Sequence, residues 1–270
     1  GDGDASTAAD PSHTYAATGI YTVVLTATNL CNTDVVSRPV TVEDYALVLT
    51  SEATALSGDP GQTVTYTLHL TNTGTLPNTI RLSLGSTSWA TTFSTDTVRL
   101  EAGEAARVEV YVAVPADAAG DAQVGVRVTA LSQSDPRTPP ALASVMLTTT
   151  ANTVYGVALG AAAMEQTARP GETVTYTLRV TNTGNVVDTI TISRTNAGWP
   201  TALSWTSQTI ARGGWREVQV AVTVPADARW DVADAAIIRA TGRAGRREVT
   251  LTTRVPGWRT YLPLVLRDRP

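Results

Sequence analysis

Lysine is absent from this 270-residue chain, and all twenty basic residues are arginine. Chemistry that begins from a lysine amine is thereby excluded, Schiff-base catalysis and lysine–asparagine isopeptide bonds included. Cysteine occurs once, at Cys31, so no disulfide forms within the chain. In an exported protein that thiol is free, or paired with a second chain or with a segment outside this sequence. Charged side chains make up 16%, against about 25% in an average soluble domain, and the net charge is a mild −4. No basic stripe is interleaved with aromatics, so nucleic acid is not expected as a partner. No apolar run approaches the roughly 20 residues that cross a bilayer, so no membrane span is expected. The opening GDGDASTAAD has neither the basic nor the apolar region of a signal peptide. If the protein is exported, its targeting segment is expected to lie outside this chain. No Asn-x-Ser/Thr acceptor occurs.

What the chain does contain is a duplication. The fifteen residues Pro60 to Gly74, PGQTVTYTLHLTNTG, return as PGETVTYTLRVTNTG from Pro170 to Gly184, with twelve unchanged at a spacing of 110. The same spacing pairs Tyr45 with Tyr155, Trp89 with Trp199, Gly103 with Gly213, and the VPADA at Val114 with that at Val224. Each copy alternates apolar and polar residues, as in Val64, Tyr66, Leu68 and Leu70, then Val108, Val110, Val112 and Val114, the last set matched by Val218, Val220, Val222 and Val224. DPG, NTG, AGE and RGG punctuate the runs as turns. Short alternating strands separated by such turns predict an all-β fold of tandem immunoglobulin-like β-sandwiches, strung in a rod-like array. Near the end of the copies the spacing falls to 104, which predicts a longer loop near SQSDPRTPP in the first. The expected domains are residues 1–44, 45–154 and 155–256, followed by an apolar tail at 257–270.

Residues 1–44 show GDG at Gly1 to Gly3, HTY at His13 to Tyr15 and GIYTVVLTATN at Gly19 to Asn29, with a second strand expected across the turn LCNTD. This stretch resembles the C-terminal half of a PKD domain, an immunoglobulin-like sandwich of extracellular proteins. The resemblance implies front strands that the chain does not contain before its GDG. Half a sandwich does not bury its own face, and its strand edges invite pairing. The remaining strands are therefore expected from upstream sequence or from a neighbouring molecule. The two copies, with PGxTVTYTLxxTNTG, a following Trp and VPADA, are similar to the NEW3 and DUF11 class of bacterial sandwich modules, which implies spacers, stalks and cell-surface arrays.

Candidates for chemistry are few. His13 belongs to the HTY signature, and His69 stands on an outward strand position where the second copy has Arg179. No HExxH, Walker or dinucleotide motif is present, and no Ser-His-Asp or Cys-His arrangement can be assembled. Asp59, Asp117 and Asp227 lie in turns, where aspartate caps local N–H groups. Asp2, Asp4 and Asp10 could join a calcium site, but the segment has no EF-hand-like loop. No catalytic residue, cofactor or metal is assigned, and the protein is not expected to be an enzyme.

Trp89 and Trp199 correspond between copies and read as core. Trp205, Trp215 and Trp230 replace Thr95, Ala105 and Gly120, so they are candidate contacts for a partner chain or for sugar rings, or else they fill a slightly different core or cover a loop. In the tail GWRTYLPLVLRDRP, similar to the ends of many secreted bacterial proteins, Tyr261, Leu262, Leu264, Val265 and Leu266 are candidate inter-subunit contacts. The run also reads as a last strand packed on the second sandwich, or as a processed or sorting tail. These readings together predict a non-catalytic extracellular or cell-surface structural protein, a subunit of a bacterial surface layer or filament assembled through β-strand edges. Its partners would be copies of itself or neighbouring surface chains. The alternatives are an accessory spacer of a larger secreted hydrolase, or a carbohydrate-binding adhesin.

Overall fold

The computed structural model describes residues 1–257. All regular structure among these residues is β. Contacts divide the chain into two compact units, one of residues 1–116 and 123–150, the other of 117–122 and 151 onward.

The first unit opens with a hairpin of β1 (Gly19–Thr28) and β2 (Thr33–Val42), which pair antiparallel with each other and form a two-stranded sheet. Its turn is held by Asn29, whose Oδ1 accepts from the backbone N–H of Cys31 (2.8 Å) and Asn32 (2.9 Å). Directly opposed residues share a face in an antiparallel pair. Tyr21 with Val40, Val23 with Arg38, and Leu25 with Val36 therefore make one largely apolar face. Tyr15 stacks on Tyr21 at 4.1 Å and the Tyr21 hydroxyl donates to the Ala17 carbonyl (2.9 Å), so that end is covered. Further along, Leu25 is 69% exposed and Val36 is exposed beside it.

The first unit continues as a sandwich. One sheet runs in the order β3 (Leu47–Ser51), β5 (Thr63–Asn72), β9 (Ala105–Ala113) and β7 (Thr91–Phe93). The facing sheet runs β4 (Ala55–Gly58), β11 (Leu142–Ala151), β10 (Gln123–Ser132), β6 (Asn78–Leu84) and β8 (Thr97–Leu100). The chain thus changes sheets between β3 and β4. The second unit repeats this order strand for strand. β12 (Val157–Ala161), β14 (Thr173–Asn182), β18 (Trp215–Thr223) and β16 (Thr201–Leu203) form one sheet. β13 (Glu165–Thr167), β20 (Gly245–Arg254), β19 (Ala233–Gly242), β15 (Asp188–Thr195) and β17 (Ser207–Ile210) form the other, with β13 parallel to β20.

The duplicated motif is explained by this packing. Period-two alternation buries Val64, Tyr66, Leu68 and Leu70 of β5 against Val108, Val110 and Val112 of β9, and buries Tyr176, Leu178 and Val180 with Val218, Val220 and Val222 in the second unit. The motif tyrosine crosses each core to the opposite sheet. Tyr66 donates to the Thr148 carbonyl (2.7 Å) beside Thr149 Oγ1 (2.9 Å), and Tyr176 to the Thr252 carbonyl (2.7 Å) beside Thr253 Oγ1 (2.9 Å). A buried hydroxyl needs such a partner, and burial pushes the Tyr176 pKa up.

The TNTG ending is a corner. Asn72 Nδ2 donates to the carbonyls of Leu76 (2.8 Å), Leu100 (3.1 Å) and Glu101 (3.1 Å), while its Oδ1 accepts from Gly74 N–H (3.1 Å). Asn182 does the same with Val186 (2.8 Å), Ile210 (3.0 Å) and Gly184 (2.9 Å). The glycine is required because a Cβ on Gly74 would lie 2.5 Å from the Asp44 carbonyl, and one on Gly184 the same distance from that of Val154.

The expected longer loop joins β10 to β11, where the second unit has only Arg243 and Ala244 between β19 and β20. It encloses Asp135, which accepts from Arg137 Nε (2.8 Å), from Arg137 Nη2 (2.7 Å) and from the N–H of Ala141 (2.7 Å). Arg137 also bonds the Tyr45 carbonyl and pairs with Asp44 (2.7 Å). The guanidinium holds the Asp135 carboxyl well below the usual carboxylate range, against the opposing effect of burial.

Candidate functional site

The second unit departs from the first on the outer face of β14 and β18. The two strands pair with Arg179 opposite Glu217 and Thr181 opposite Trp215. Arg179 turns to the diagonal neighbour, and its guanidinium carbon lies 4.5 Å from the Trp215 ring centroid. This is a cation–π contact on the solvent side of the sheet. Trp215 remains 44% exposed beneath it.

The turn entering β18 shapes the space beside the ring. Gly213 has φ of 65°, a left-handed position that favours glycine, and Gly214 turns back to donate to the Ala211 carbonyl (2.9 Å). Gly213, Gly214, Trp215, Arg216 and Glu217 line an open groove of about 640 Å³. Trp205 closes in from the connection between β16 and β17, its Nε1–H donating to the Glu217 carbonyl (2.6 Å). That bond uses the backbone of Glu217 and leaves its carboxylate to solvent. Arg216 Nη1 donates to the Trp215 carbonyl (2.9 Å).

The same place in the first unit is self-satisfied. His69, the counterpart of Arg179, is bonded to Glu52 (2.9 Å), and Arg107, the counterpart of Glu217, stands 3.6 Å from the same carboxylate. Position 162, the counterpart of Glu52, is alanine. Arg179 consequently has no carboxylate within ion-pair distance among the described residues.

Of the three tryptophans singled out by sequence, Trp205 packs against the second core, as the core reading expected, while its indole N–H reaches Glu217, and Trp215 stands exposed at the groove. Trp230 is not among the groove's lining residues; it sits in the loop before β19, 41% exposed. Arg179, Arg216 and Glu217 were missed, although the exchange of Glu52 for Ala162 at the repeat spacing was a legible signal. Trp89 is buried, and Trp199 packs against the second core. Tyr261, Leu262, Leu264, Val265 and Leu266 lie outside the described residues.

Both histidines are held by carboxylates. His13 Nε2 meets Asp2 Oδ2 at 2.6 Å, which lowers the Asp2 pKa, and Asp2, Asp4 and His13 each bring a ligand atom within 4.8 Å of the others. Asp10, grouped with Asp2 and Asp4 on sequence, is not part of this exposed cluster. Cys31 is exposed at the hairpin turn. Among the described residues no helix is long and apolar enough to cross a membrane.

Fold and face together define tandem immunoglobulin-like sandwiches carrying a hairpin at their N-terminal side, a class of domain that is typically structural rather than catalytic. Two family models agree with this: a PKD domain matches residues 1–43, and a VWA7 Ig-like domain matches residues 47–151. No curated protein matches the chain. Among solved structures, a protein of unknown function from Porphyromonas gingivalis W83 is 17% identical, over 76% of this chain and 99% of that one, with a TM-score of 0.31. A chaperone–tip adhesion subunit pre-assembly complex of Csu pili from Acinetobacter baumannii is 8% identical over 78% and 99%, also with a TM-score of 0.31. Domains 4 and 5 of the S-layer protein SbsC are 14% identical over 54% and 68%, with a TM-score of 0.29. Likenesses this distant carry no argument about function.

Proposed function

We propose that this chain is a non-catalytic extracellular structural protein, a subunit of a surface layer or filament that associates with neighbouring copies through β-strand edges. The observation that carries the reading is the β1–β2 hairpin. Its two strands pair only with each other among the described residues, and its Val23, Leu25 and Val36 face is uncovered. A two-stranded sheet with an apolar face and two open edges is marginal alone and is stabilised by added strands. A neighbouring copy supplies them in this reading, with the apolar tail Tyr261 to Leu266 as the donated segment. Kinship of the two sandwiches with NEW3 and DUF11 modules belongs to the same reading.

The test is light scattering and electron microscopy of the purified chain, beside a Leu25→Asp, Val36→Asp variant and a variant lacking residues 257–270. Polymers that the double substitution abolishes, with the sandwiches still melting as in the wild type, are the expected result. A wild-type chain that stays monomeric at high concentration, or assembly that survives the double substitution, refutes the proposal. Loss of assembly in the double variant with retention in the truncated one would reject only the tail as donor.

A further inference from the structure

We infer that the Trp215 face of the second unit binds a carboxylated saccharide. Three features converge there. Trp215 offers a half-exposed indole as one wall of the groove, an apolar surface for the C–H groups of a pyranose. Arg179 lies over that ring with no carboxylate within ion-pair distance among the described residues, and a guanidinium binds a carboxylate through two parallel N–H donors. The groove beside them, about 640 Å³, falls within the roughly 300–1,000 Å³ of small-molecule sites.

Charge selects an acidic sugar over a neutral one. The turn and strand start read Arg212, Arg216 and Glu217, with Arg179 adjoining, where the first unit has Glu101, Glu104 and Arg107 with His69 held by Glu52. Three carboxylates of the first unit, Glu52, Glu101 and Glu104, are thus replaced by Ala162, Ala211 and Gly214 in the second while the fold beneath is unchanged. Trp205 fixes the backbone of Glu217 through its indole N–H, which holds the edge of the groove in place. The Glu217 carboxylate is left as an acceptor for sugar hydroxyls.

Isothermal titration of the full chain with oligogalacturonate, oligomannuronate and hyaluronan fragments tests this, with methyl-esterified oligogalacturonate as a neutral control. At least one acid should bind. If it is the galacturonate, the ester should bind at least about tenfold more weakly, since the charge-assisted pair is lost. Trp215→Ala and Arg179→Ala should each weaken binding by about tenfold or more without moving the melting temperature, both side chains being solvent-facing. Ala162→Glu removes no side chain and gives Arg179 the carboxylate that Glu52 gives His69; it should weaken binding to a similar degree. Failure of all three acids to bind at millimolar concentration overturns the inference. So does equal binding of acid and ester, or binding that survives both Ala162→Glu and Trp215→Ala. Neither result bears on assembly through the hairpin.

Discussion

The two sandwiches share a strand order, a tyrosine that ties sheet to sheet and an asparagine that closes a corner, yet they differ at nearly every outward position discussed above. In the first, charged groups on the β5–β9 face answer one another: His69 and Arg107 share Glu52. In the second, the same face carries an arginine over a tryptophan, and among the described residues no carboxylate lies within ion-pair distance of that arginine. Inward positions are coupled to many neighbours, so duplication preserves them. An outward side chain on a sheet changes at a cost of a few tenths of a kcal/mol, which leaves that face free to acquire a ligand.

The turn at the far end shows the converse, one purpose reached by different residues. The first unit buries Asp135 in its long loop and uses Arg137 to reach Tyr45. The second has a two-residue turn, buries Asp188 on β15 instead, and uses Arg243, whose Nη1 donates to the Tyr155 hydroxyl (2.6 Å) and whose backbone N–H reaches Asp188 (3.0 Å). Asp188 and Asn78 occupy equivalent positions, and the buried Asn78 answers Ser132 Oγ (2.7 Å).

Breaking the shared elements should have the largest effect. Gly74→Ala and Gly184→Ala each force a Cβ against a backbone carbonyl, and each should cost about 3 kcal/mol, read by urea unfolding. Asn72→Ala and Asn182→Ala strand several carbonyls and a glycine N–H, and should cost about 2 kcal/mol apiece. A large difference between the two copies in either pair would show that the corners are not equivalent. Tyr66→Phe and Tyr176→Phe remove only the cross-core hydroxyl and should cost about 1 kcal/mol each.

Asp135 sharpens the comparison through pH. Its folded pKa is depressed below the unfolded value, so its contribution is present above about pH 4 and is lost as pH falls through the folded value. Acid unfolding of Asp135→Asn should lack that part of the loss below pH 4, and an unchanged acid slope would contradict the pairing. The smallest effect belongs to Glu52→Ala, a solvent-exposed network in which about 0.5 kcal/mol is expected.

The strand pattern was legible because alternation is read two residues at a time. Val64, Tyr66, Leu68 and Leu70 announce their own face, and the repeat at 110 residues announces a second copy of the domain. The longer loop before β11 was legible as a change in that spacing. The Arg179, Trp215 and Glu217 face was only half legible. Trp215 stood out as a residue particular to one copy, whereas its companion lies 36 positions earlier and meets it only through the β14–β18 register. Asp135 carried no sequence signal beyond its place in a proline-rich loop, because its burial depends on where Arg137 and Ala141 close over it.

Sequence by itself thus determined the all-β class, the duplication, the inward residues of β5, β9 and β18 and the exclusion of lysine and disulfide chemistry. All of these rest on local periodicity or on composition, and neither needs a partner distant in the chain. Only the tertiary structure decided that a motif tyrosine bridges two sheets, that TNTG is a corner closed by its asparagine side chain, and that an arginine freed by Ala162 stands over a tryptophan. Those are contacts between residues far apart in sequence, and their energies exist only once strand register and the packing of two sheets have brought the groups together.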